Sequence, residues 1–124
     1  MSIQAAVVVP HPPIILPEVG RGEEEKISAT SSAYKEISRR IVELAPDTII
    51  ITSPHSILYA DYFHISPGET AEGNMARFRA QQVDLKINYD AEFVDALSNA
   101  AMAENVPAGK MGEREKSLDH GTLI

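Results

Sequence analysis

The sequence predicts an α/β fold, with a mostly parallel sheet and flanking helices. Three observations carry that prediction. Two short runs rich in β-branched residues, Ile3 to Val9 and Asp47 to Ser53, each stop at a proline. One long stretch of helical periodicity lies between them. A strand, helix, strand order of this kind closes a right-handed crossover with its two strands parallel.

The elements follow in order. Ile3 to Val9, stopped by Pro10, reads as a strand buried on both faces. Pro10, Pro12, Pro13 and Pro17 then exclude a helix or a central strand as far as Glu18. From about Glu23 to Leu44, the side chains Ile27, Tyr34, Ile37, Ile41 and Leu44 recur at helical steps. Glu23, Glu24 and Glu25 suit the N-terminal dipole of that helix, and Pro46 marks its stop. Its segment Ser28 to Ser32 is a weak helix former, so packing must hold that turn.

Asp47 to Ser53 is the second buried strand, ended by Pro54-His55. Tyr62 to Ser66 reads as a short third strand and Gly68 to Arg79 as an irregular loop. Val83, Leu85 and Ile87 alternate along a strand to Asn88 with one wet face. Asp90 can cap a helix running to about Glu104, with Phe93, Val94, Leu97 and Ala101 on its inner face. Val106 to Lys116 reads as a loop or irregular strand. The chain stops on Leu123 and Ile124, in the middle of an apolar signal, and the expectation is a portion of a longer protein.

Composition bounds the function. The 124 residues make one domain at most, and 44% hydrophobic content suffices for a core. A formal net charge of -7 without a basic stripe excludes nucleic acid as a partner. The apolar run Ala5 to Val9 is too short for a signal-peptide core, and nothing reaches membrane-spanning length. The absence of cysteine removes disulfides and thiolate ligands and fits a reducing, cytoplasmic setting. There is no Gly-rich phosphate loop, no His-Glu-x-x-His and no Gly-x-Ser-x-Gly elbow.

The four histidines remain. His11 and His55 each follow a proline at the end of a strand signal. In a parallel sheet both strands end on one edge, where open α/β folds place their ligands. Neighbouring strands lie roughly 4.8 Å apart, so two imidazoles there can reach one metal ion. Each Pro-His pair also fits a plain loop histidine beside a turn. His120, in Leu-Asp-His-Gly-Thr, can serve as an acid/base group, or simply open a helix capped by Asp119 or Thr122. His64 alternates with Tyr62 and reads as structural or solvent-facing.

Taken together, VVPHPPIILPEVG, ITSPHS, ADYFHISPG and SLDHGTLI resemble the LigB-type class III extradiol dioxygenase superfamily. The likeness runs in order along the whole chain. It is nearest to the uncharacterised prokaryotic branch, often fused to an AMMECR-type domain and grouped with Memo-like proteins. The resemblance implies the N-terminal half of a larger three-layer α/β domain over residues 1–124. It implies that His11 and His55 ligate non-haem Fe(II), with Zn as the alternative metal. It implies that His120 sits near substrate and dioxygen and assists proton transfer. The implied reaction opens a catecholic ring with O2, beside its two hydroxyls.

The family's carboxylate ligand comes well downstream of the DHG motif, so the third ligand is expected outside this chain. Glu18, Asp61 and Asp119 are substitutes that no spacing argument favours. Exposed apolar edges are expected to promote homo-oligomers. Two other functions fit the same residues: a metal-dependent hydrolase or small-molecule binder, and a non-enzymatic interaction module.

Overall fold

The computed structural model describes residues 2–112 and 117–124. Proline placement shapes its first turns. A 3₁₀ turn spans Pro13–Ile15, and helix α1 spans Pro17–Gly20. These turns correct the expectation that four prolines exclude helix before Glu18. Pro13 and Pro17 each open their turn, where a helix has no use for the missing N–H. Arg21 and Gly22 then reverse the chain in left-handed conformations.

The long helix starts later than its periodicity suggested. Glu23–Ile27 forms a 3₁₀ turn, and helix α2 runs from Ser28–Leu44. The serine-rich stretch is therefore helical, and Ile27, Tyr34, Ile37 and Ile41 are half-buried along one face. On the outer face Glu36 accepts from Arg39 at 2.9 Å and from Arg40 at 2.7 Å. Those two guanidinium groups hold its carboxyl below the ordinary value. α2 ends at Ala45, which takes a left-handed φ of 46° and donates its amide to the Val42 carbonyl, with Pro46 following.

The remaining elements are β1 (Phe63–His64), β2 (Thr70–Met75), β3 (Ala80–Asn88), α3 (Ala91–Ala103), β4 (Ala108–Gly109) and α4 (His120–Leu123). The architecture is mixed α/β, with β1 and β4 parallel. The stretch expected to be an irregular loop is instead half of a hairpin. β2 pairs antiparallel with β3, with Thr70 opposite Asn88 and a bulge between Asn74 and Met75. A single 3₁₀ turn, Ala76–Phe78, and a left-handed Arg79 make the connection. Local pattern missed this strand because TAEGNM has almost no β-branched residue; pairing with β3 decides it.

Asp90 caps α3 as expected, accepting from the Phe93 amide at 2.9 Å. Phe93, Val94 and Ala101 are half-buried, while Leu97 is more exposed than its heptad-like position implied. Of the Val106 to Lys116 stretch, Ala108–Gly109 is strand, and residues 113–116 lie outside the described residues.

The two N-terminal strand signals differ most from expectation. Neither Ile3 to Val9 nor Asp47 to Ser53 forms a ladder, so no parallel crossover joins them. Both are exposed: Val8 is fully open, and Ile49, Ile50 and Ile51 are each about 60% exposed (60%, 64% and 59%). β-Branched residues favour extended backbone, but burial needs a neighbouring strand and a covering layer, which these segments do not have here. Among the described residues no helix is long and apolar enough to cross a membrane.

The buried apolar residues gather instead around the hairpin: Ala71, Met75, Ala80 and Leu118. Leu118 crosses directly over Gly73, its amide donating to the Glu72 carbonyl at 2.9 Å. A Cβ on Gly73 would stand 2.7 Å from the Leu118 carbonyl oxygen, so only glycine admits the crossing strand. That crossing delivers the following residues, Asp119 and α4, to the hairpin.

Candidate metal centre

Three elements bring three histidines together. The Pro10-His11 turn is tied down by Tyr34 of α2, whose hydroxyl donates to the Pro10 carbonyl. Burial raises the Tyr34 phenol above its ordinary value. His55 follows Ser53-Pro54, where the Ser53 hydroxyl accepts from the His55 amide at 3.2 Å. His120 opens α4 with Asp119 as its cap, as the plain reading of that residue expected.

The Nε2 atoms of His11 and His55 stand 2.7 Å apart. His11 is half-buried and His55 exposed. Their rings meet edge-on, with centroids 4.7 Å apart and planes 77° apart. His120 lies against His55 at 4.0 Å between centroids and is 6.3 Å from His11. Sequence reasoning placed His11 and His55 on one edge, and the two are in direct contact. The resemblance put His120 near the substrate, and its ring lies against His55; nothing in the sequence marked Phe78, whose ring sits 5.3 Å from His120. Phe78 belongs to the segment taken for an irregular loop, and no local signal marks it.

Asp119 fastens the arrangement. Its Oδ1 accepts from the Ser53 hydroxyl at 2.6 Å, the Gly121 amide at 2.8 Å and the Thr122 amide at 3.2 Å. Its Oδ2 accepts from the Thr122 hydroxyl at 2.9 Å. Burial alone would raise this carboxyl, but the Ser53, Thr122 and backbone donors outweigh it and hold Asp119 below the ordinary range. His120 is also lowered, first by burial and then by electrostatic interaction with the neighbouring His55, against the pull of Asp119.

Gly121 is part of the same fit. A Cβ there would lie 2.9 Å from Ser53 Oγ, 3.0 Å from Asp119 Oδ1 and 3.1 Å from His55 Cδ2. Gly121→Ala is therefore expected to cost about 1–2 kcal/mol by crowding and to displace the His55 ring. Urea unfolding and the His55 imidazole resonances check both effects. An alanine variant of unchanged stability and spectrum contradicts the fit.

The donor set suits a metal in part. Two ligating nitrogens at bonds of about 2.1 Å stand roughly 3.0–3.4 Å apart in octahedral or tetrahedral centres. The observed pair needs to open only by a few tenths of an ångström. Among the described residues, however, no group of three or more His, Cys, Asp or Glu side chains is arranged to hold a metal. Asp119 spends both oxygens on the clamp just described, so it is poorly placed to serve as the carboxylate.

Residues 5–124 match the family described as the catalytic LigB subunit of aromatic ring-opening dioxygenase. The chain belongs to the LigB family. A LigB relative, Protein CA_C1420 of Clostridium acetobutylicum, is 34% identical over 131 residues. The match takes in 100% of this chain and 28% of that protein, so the LigB chain spans little more than a quarter of its relative's length. No solved structure matches.

Proposed function

We propose that this LigB chain supplies two nitrogen ligands, His11 and His55, to a non-haem Fe(II) centre that serves O2-dependent opening of catecholic rings. The observation that carries the reading is the 2.7 Å approach of the two Nε2 atoms, from segments 44 residues apart, in a chain of the LigB family. In this reading the carboxylate that completes the centre lies outside the chain. Aromatic substrate and O2 are its partners, and the cytoplasm its setting.

Fe(II), when bound, would supply the electronic link between a catecholate and dioxygen held side by side. The chain's own residues do the rest. Tyr34 and Pro10 hold the His11 turn, and Ser53 holds the His55 turn, so both imidazoles converge. His120, tilted against the His55 ring at 4.0 Å between centroids, would take a phenolic proton at its ring nitrogen and orient the substrate. Phe78 packs beside His120 at 5.3 Å between ring centroids.

The test is direct. Purified without oxygen and offered Fe(II), the longer parent protein is expected to bind about one iron per chain and to consume O2 when catechol is added, whereas this chain by itself is expected to bind metal weakly and to show little or no catalysis. The ring-opened product is followed by absorbance. Tight retention of zinc with no oxygen uptake would turn the assignment to a metal-dependent hydrolase, since histidine donors suit zinc equally.

A further inference from the structure

Residues 46–58 carry His55, yet among the described residues no backbone hydrogen bond joins them to the rest of the chain. The isoleucines at 49–51 are exposed and lack the ladder that would fix a strand. A segment with so few backbone ties opens locally unless its side chains hold it. Among the described residues, three side-chain hydrogen bonds do so. At the far end His55 meets His11, and Ser53 donates to Asp119 at 2.6 Å. At the near end the Thr48 hydroxyl donates to the Asp90 carboxylate, 42 residues on.

Asp90 serves two partners at once. Its Oδ1 accepts from the Phe93 amide at 2.9 Å, and its Oδ2 accepts from Thr48. The carboxylate is thereby fixed to the first turn of α3, which packs on β4. The Thr48 and Phe93 donors hold Asp90 below the ordinary carboxyl value, so both bonds are made to an ionised group and are the stronger for it. Thr48 stands seven positions before His55. Without the near tether, the segment between α2 and Ser53 has no hydrogen bond to its surroundings among the described residues.

We infer that Asp90 is a positioning residue for His55, acting through Thr48, so that α3 sets where one imidazole of the pair stands. This role belongs to the site of the ring-opening reading above, but it concerns the bare protein and needs no metal. A merely structural tie would add stability and leave the imidazole where it is. A positioning tie also governs the 2.7 Å approach of the two Nε2 atoms.

That approach can be read directly in the metal-free chain. At about pH 8 both imidazoles are neutral, so one Nε2 of the pair donates and the other accepts. Nitrogen-15 spectra of the histidine side chains separate donor from acceptor. Thr48→Val removes the hydroxyl and leaves the α3 cap intact, and it is expected to abolish the separation between the His11 and His55 Nε2 resonances. Thr48→Ser, which keeps the hydroxyl, is expected to retain the wild-type pattern. Asp90→Ser keeps a capping oxygen but drops the second acceptor, and it is expected to behave like Thr48→Val.

An unchanged separation in Thr48→Val overturns the role of Asp90, as does a Thr48→Ser protein disturbed as much as Thr48→Val. If circular dichroism shows Thr48→Val unfolded, a wild-type pattern in Asp90→Ser overturns it instead. Absence of any separation in the wild-type chain removes the His11–His55 pair itself, and the reading of the site with it.

Discussion

Replacing His11 or His55 with alanine in the longer parent protein is expected to lower iron affinity by more than about a hundredfold. The two nitrogens converge at 2.7 Å, and neither has a substitute. Among the described residues no third histidine, cysteine or carboxylate is arranged with them to hold a metal. His120 is in contact with His55 but 6.3 Å from His11 between ring centroids. Anaerobic iron titration of the two variants measures the loss, and urea unfolding shows whether the fold survives. Both rings lie at the surface or half-buried, so stability should change little. Iron binding that persists in either variant would remove that histidine from the centre, and with it the basis of the proposed function.

The second large effect concerns Asp119. Asp119→Ala is expected to cost about 2–4 kcal/mol, since it removes a helix cap together with hydroxyl bonds to a carboxylate. The loss should be felt at His55 as well as at α4, because Ser53 and Asp119, 66 residues apart, are joined by one 2.6 Å bond. Acid should have a related effect. The carboxyl is held below its ordinary value, so its stabilising contribution is complete above the unfolded-state value. It is lost as pH falls through the lower, folded value. Urea midpoints measured from neutral pH downward should therefore drop more steeply for wild type than for Asp119→Asn. Identical acid limbs in the two proteins would show that the clamp contributes nothing.

The parts of the fold that were legible in the sequence are those with local causes. The half-buried stripe of α2 follows from the spacing of Ile27, Tyr34, Ile37 and Ile41, and the start of α3 follows from Asp90. Both depend on residues within one or two helical turns of each other. β2 was not legible, because TAEGNM becomes a strand only through its partner β3. The same holds in reverse for Ile3 to Val9 and for the isoleucines at 49–51. Their composition favours extended chain, but a ladder depends on what lies beside them.

For the site, the sequence by itself singled out the candidate side chains. His11 and His55 stand out because each follows a proline at the end of an apolar run, and His120 because of its DHG setting. Tertiary structure alone decided that these three meet. It set His120 on His55, placed Phe78 beside it, tied Ser53 to Asp119, and left Gly121 as the one residue small enough for the fit. It also buried the Nε2 of His64, read from the sequence as structural or solvent-facing, without a hydrogen-bond partner. The physical reason is range. Residue type and local backbone preference are written within a few positions, whereas a contact across 44 or 66 residues exists only once the whole chain has chosen its packing.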